Sequence, residues 1–181
     1  MDTDCYGRFE QVTLANSTWS EIAEISESGQ AENYFKVGDE KTITYNGKSI
    51  TVAIAGFNHD DLTDGSGKAG ITFVTRSMVD PVTAWGGDKY YHQSTLHTTL
   101  NGTVLGYLPS ELQAVIKSVE KARDNTNMGG TSPSIKNVSA KIWALSTTEL
   151  NESVPNLSSL AASQQANRLA VLGATYPLFA N

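Results

Sequence analysis

The dipeptide Asn46-Gly47 constrains the fold more tightly than any other pair in the chain. It favours a two-residue turn with positive φ at both positions, the geometry that matches the twist of two antiparallel strands. The flanking residues agree. Ile43 and Tyr45 alternate with Thr42 and Thr44, and Ile50, Val52 and Ile54 continue the period of two. A hairpin is predicted with strands Lys41 to Tyr45 and Lys48 to Phe57.

A helix with a readable start precedes it. Thr18 and Glu21 have capping-box spacing, Trp19, Ile22, Ala23 and Ile25 form an apolar face, and Gly29 suits the C-terminal cap. Residues 1–16 read as a lead-in with one short strand at Gln11 to Leu14. Ile71 to Val79 reads as extended. Ser94 to Leu105 reads as a modest helix and Pro109 to Arg123 as a clearer one, with Leu112, Val115, Ile116 and Val119 in one stripe. Asp124 to Asn137 is a polar loop containing Gly129-Gly130, and Lys141 to Leu145 a short strand carrying Trp143. Ser146 and Glu149 repeat the capping-box spacing, and Ser158 to Leu172 reads as a helix ending at Gly173. No internal repeat is evident.

The stretch His59 to Gly70, HDDLTDGSGKAG, joins two predicted strands. A phosphate-binding loop needs an upstream glycine where Leu62 stands, and Ser or Thr where Ala69 stands. An EF-hand begun at Asp60 meets Leu62 and Ile71 where oxygen ligands belong. Asp60, Asp61 and Asp64 leave two readings, a weak, irregular calcium site or a solvated acidic turn in a mobile loop. No other cofactor is expected.

The net charge is −6, and nothing resembles a basic stripe, which argues against a nucleic-acid partner. No apolar run reaches membrane-span length, and Met1 is followed by Asp2 and Asp4, the wrong charge for a secretory leader. Cys5 is the lone cysteine, so no internal disulfide framework is available. The histidines, His59, His92 and His97, lack the spacing of a zinc site. No G-x-S-x-G elbow occurs, and no catalytic residue is assigned. Trp85, Tyr90, Tyr91 and His92, in the loop W-G-G-D-K-Y-Y-H, are the candidate ligand-binding residues. Loop aromatics form flat platforms for sugar rings or interface anchors; the competing reading has Trp85 and one tyrosine plugging the core.

Five segments carry a resemblance: Trp19 to Asp39, then I-A-G-F-N-H-D-D at 54–61, L-N at 100–101, L-P-S-E-L-Q-A-V-I-K-S-V-E-K at 108–121 and K-I-W-A-L-S-T-T-E at 141–149. In that order and spacing they resemble an uncharacterised domain family of gut Firmicutes, their prophages and surface proteins, over roughly residues 17–180. That family is distantly similar to C-type-lectin-like folds, as used by phage receptor-binding proteins and sulfatase-modifying enzymes. The resemblance implies an α+β fold, a small twisted antiparallel sheet with flanking helices, as one domain over residues 17–181. Its departures are an Arg replaced by His97, a tryptophan displaced to Trp85, and no Trp-rich Arg-Ser-Pro segment after Tyr176 to Phe179. A C-type-lectin-like fold is therefore expected, truncated at that end in one of three ways: as a fragment, as a lineage that lost the distal lobe, or as a chain whose missing strands come from a partner.

The functional expectation is a non-catalytic phage or prophage structural or appendage protein, assembled into the virion from the host cytoplasm. Its partners would be other virion proteins, further copies of itself and host-surface glycans. The alternative is a carbohydrate-binding adhesion module on the bacterial cell surface.

Overall fold

Asn46 and Gly47 adopt φ of 45° and 75°, and the turn they make joins β1 (Glu40–Tyr45) to β2 (Lys48–Phe57) with Tyr45 opposite Lys48. The hairpin stands as the sequence predicts. In the computed structural model, which describes residues 12–80, 90–125, 134–151 and 172–180, β2 also pairs antiparallel with β3 (Ile71–Thr75), its register shifting between Ile54 and Gly56. The sheet order is β1-β2-β3.

One face of this sheet is covered by α1 (Trp19–Glu27). Its capping box is fully formed: Thr18 N donates to Glu21 Oε2 at 2.7 Å, and Glu21 N donates to Thr18 Oγ1 at 3.3 Å. Trp19 and Ile22 are buried with Leu14, Phe35, Ile43, Val52, Ile54 and Leu112 in one core. Trp19 meets Phe73 of β3 edge-on, with ring centroids 5.5 Å apart. Val12 to Leu14 do not form the expected strand. The chain turns there, Ser17 N donating to Thr13 O at 3.0 Å, and Lys41 Nζ of β1 donates to the carbonyls of Leu14, Ala15 and Ser17.

After α2 (Ala31–Tyr34), the sheet and a 3-10 turn at Tyr91–Gln93, the chain enters α3 (Thr95–Thr99), capped by Ser94, and widens into a π-helical turn over Leu100–Val104. The helix expected from Pro109 to Arg123 is shorter than predicted. It is α4 (Ser110–Val115), packed on α1, and Ile116 is already extended at φ −67°, ψ 125°. Val119 belongs instead to β4 (Val119–Asp124), which pairs antiparallel with β5 (Ile135–Ala140). The polar stretch Asp124 to Asn137 is therefore partly strand. Lys141 to Leu145, expected as a strand, is irregular chain. Asn101 pins it: Oδ1 accepts from Lys141 N and Ile142 N, and Nδ2 donates to Ile142 O.

The fold is thus α+β with small antiparallel sheets. Cys5, Trp85, Gly129-Gly130 and all of the expected helix Ser158 to Leu172 except its last residue lie outside the described residues. Among the described residues no helix is long and apolar enough to cross a membrane.

Candidate functional site

The acidic stretch after β2 is an ordered small ribbon rather than a free loop. Asp61 bridges Lys68, Leu62 N donates to Gly67 O at 2.8 Å, and Ala69 N donates to Asp60 O at 2.8 Å. Its outer edge is taken by the second sheet, where Glu120 N donates to Asp61 O and Thr63 N to Ser118 O. This docking brings the inward face of β4 over Asp60.

The inward residues of β4 are Val119, Lys121 and Arg123, all buried. Two cations cannot be buried without partners. Lys121 Nζ lies 2.5 Å from Asp60 Oδ1, 2.5 Å from Glu149 Oε1 and 2.9 Å from Tyr176 OH. An ammonium has three protons, and these are three acceptors. Its charge also sits 4.6 Å from the Trp143 ring centroid and 5.3 Å from that of Tyr176. Arg123 Nη2 contacts Glu149 Oε2 at 3.3 Å and donates to Ala144 O at 3.0 Å, while its guanidinium carbon is 5.3 Å from the Tyr91 ring centroid.

Glu149 is fully buried, at 0% exposure. Its capping-box spacing is realised, since Ser146 N donates to Oε2 at 2.7 Å and Glu149 N to Ser146 Oγ at 3.1 Å. The motif closes a turn here and aims the carboxylate inward. The segment carrying Tyr176 is tied to that turn by Tyr176 N donating to Glu149 O and Ser146 Oγ to Leu172 O. Gly173, at φ +99°, packs so closely that an added Cβ would stand 3.1 Å from Glu149 Oε1.

Asp60 accepts from Tyr176 OH at 2.9 Å on both oxygens and from Thr72 Oγ1 at 2.7 Å, with His59 Nδ1 at 3.4 Å. Burial works to raise its carboxyl. The His59 hydrogen bond, the Lys121 charge and the Lys121 and Thr72 hydrogen bonds outweigh it and hold Asp60 well below the carboxylate range. Burial, then the Asp60 and Glu149 charges, push the Tyr176 phenol far up. Two acids and two bases thus neutralise one another out of contact with water.

The three aspartates of the sequence reading do not converge. Asp60 turns into the cluster, Asp61 meets Lys68 Nζ at 2.8 Å on the surface, and Asp64 Oδ1 accepts from Ser66 N and Oγ. Those Ser66 hydrogen bonds hold Asp64 below its ordinary value. Among the described residues no group of three or more His, Cys, Asp or Glu side chains is placed to hold a metal ion.

The aromatic candidates also divide. Tyr91 is 3% exposed and lies under Arg123, its hydroxyl accepting from Ala144 N at 3.4 Å. Burial pushes its phenol up. Tyr90 and His92 are half-buried and stack, centroids 5.8 Å apart at an interplanar angle of 3°. Desolvation and then Lys136 lower His92, while desolvation and then His92 lower His97. Lys121, Arg123, Glu149, Tyr176 and Thr72 were not legible as a site; the sole sequence signal was the Ser146/Glu149 spacing.

A family model described as a domain of unknown function (DUF6273) matches residues 69–180, more than half of the chain. The match begins next to β3, yet β3 completes a sheet whose other strands precede it. No curated protein and no solved structure matches.

Proposed function

The chain belongs to the DUF6273 family, and we propose that it is a non-catalytic binding and assembly domain, a phage or prophage virion component with a C-type-lectin-like scaffold. Its contacts are with other virion proteins, with further copies of itself and, through the Tyr90–His92 face, with host-surface saccharides. The observation that carries this reading is the closure of the charged cluster. Lys121, Glu149, Asp60 and Arg123 form a dense ionisable group, and all are buried and mutually neutralised. Among the described residues the group is closed from solvent and bridges separate segments of the chain, which supports a role in holding surfaces in place. The Tyr90–His92 stack offers a flat edge of the kind on which a pyranose ring packs.

Light scattering on a sizing column and a glycan-binding screen test the proposal together. We expect a closed homo-oligomer and saccharide binding that Tyr90→Ala weakens at least tenfold. A monomer that retains no saccharide would overturn it. A monomer with saccharide binding lost in Tyr90→Ala would replace it with a bacterial cell-surface adhesion module.

A further inference from the structure

We propose that Lys121 and Asp60 condense inside the folded chain to an isopeptide amide, with Glu149 carrying the proton. Lys121 Nζ is in contact with a carboxylate oxygen of Asp60 on one side and of Glu149 on the other, each at 2.5 Å. Nucleophile, electrophile and proton carrier are thus assembled by the fold itself, the condition under which an otherwise slow bimolecular step becomes a fast internal one.

The step balances without any outside reagent. Lys121 Nζ passes a proton to Glu149 Oε1, and the freed amine lone pair attacks Asp60 Cγ. Charge gathering on the Asp60 oxygens is met by the Tyr176 hydroxyl, which donates to both, and by the Thr72 hydroxyl on Oδ2. A C–N bond forms, and one C–O bond breaks as that oxygen leaves as water. Its two protons are the one held by Glu149 and a second from the attacking nitrogen. One ammonium and one carboxylate become one amide and one water, with no change in oxidation state.

The surroundings favour that outcome. Four charges are buried in this cluster, and each carries a desolvation cost. Condensation removes two of them. The two that remain, Arg123 and Glu149, are already paired at 3.3 Å. Trp143 and Tyr176 cover the amine, so water, which would compete in the reverse direction, is kept from the bond. The new bond would staple β4 of the second sheet to the ribbon that follows β2 of the first. It stands apart from the proposed saccharide contact, so either can fail alone.

Intact-mass spectrometry of the unfolded full chain, followed by peptide mapping, tests it. We expect the wild-type chain to be lighter by one water, with the peptides holding residues 60 and 121 recovered as one branched species. Glu149→Gln, folded by circular dichroism, is expected to keep its full mass and release the two peptides separately. A wild-type chain of full mass after prolonged incubation overturns the proposal, as does a water loss mapped elsewhere. A folded Glu149→Gln variant bearing the same bond overturns the role given to Glu149. If that variant does not fold, the wild-type mass and map decide alone.

Discussion

Tyr176 is a phenol with no room to ionise. Its oxygen accepts a hydrogen bond from Lys121 and its hydroxyl donates to Asp60, and removing that proton would bury an anion beside two carboxylates. Burial also raises Tyr91 and Tyr45. For a group raised in the folded state, its stabilising contribution is complete below the unfolded value and is lost as pH rises. Stability should therefore hold up to the ordinary tyrosine value of 10.0 and fall above it. A spectrophotometric titration is expected to show the exposed tyrosines ionising first, and these three only as circular dichroism reports unfolding. Ionisation of all seven tyrosines in one early phase would contradict the burial. On the acid side the sign is opposite. Asp60 is lowered, so its contribution is present above the ordinary aspartate value of 3.8 and lost as pH falls below it, unless condensation with Lys121 has already removed the carboxyl. Sequence reading had no route to this residue-level picture, because Asp60 looks like its neighbour Asp61 until the partner strand arrives.

At the scale of elements, the features legible in the sequence are those with a local cause. The Asn46-Gly47 turn and the Thr18–Glu21 capping box depend on residues at most three apart, and both form as expected. Replacing Asn46-Gly47 by Ala-Ala places a new Cβ at the positive φ of residue 47, at a cost of about 1–2 kcal/mol, and takes from residue 46 a side chain that tolerates the left-handed region. Urea unfolding should show that loss, with amide exchange rising first across β1 and β2; an unchanged midpoint would mean the turn contributes nothing. The element that misled is β4. Its inward residues are Val119, Lys121 and Arg123, so a period of two was present but carried by two cations. Hydrophobic patterning does not register such a strand, and Val119 falls into a helical stripe with Leu112 and Val115. The ribbon structure of the acidic stretch is missed for a related reason, since its outer edge pairs with β4.

For the molecule as a whole, the second sheet is joined to the ribbon that follows the first both by backbone hydrogen bonds from Glu120 and Thr63 and by the charged cluster. The first sheet and α1 close over Trp19, Ile22, Phe35 and Ile54. Arg123, by contrast, links β4 to Glu149 and to the irregular chain at Ala144. Arg123→Met leaves Glu149 short of a counter-charge whether or not Lys121 is free, and the expected loss is about 3–5 kcal/mol. It should appear in urea melts as a lower midpoint of a single transition. A loss confined to a minor early phase would show that the second sheet unfolds by itself. None of this joining was legible in the sequence, because its members lie in five separate segments between Asp60 and Tyr176.

Asp60 and Tyr176 are 116 positions apart. On a ribosome Asp60, Lys121 and Glu149 must wait, still hydrated, for the tyrosine that roofs them, and the first sheet waits as well, since Leu112 completes its core and Pro177 packs on Gly56. Dehydration of the charges then follows the arrival of Tyr176 rather than accompanying an early collapse, and a nascent chain halted before Tyr176 would display an open, wet cluster.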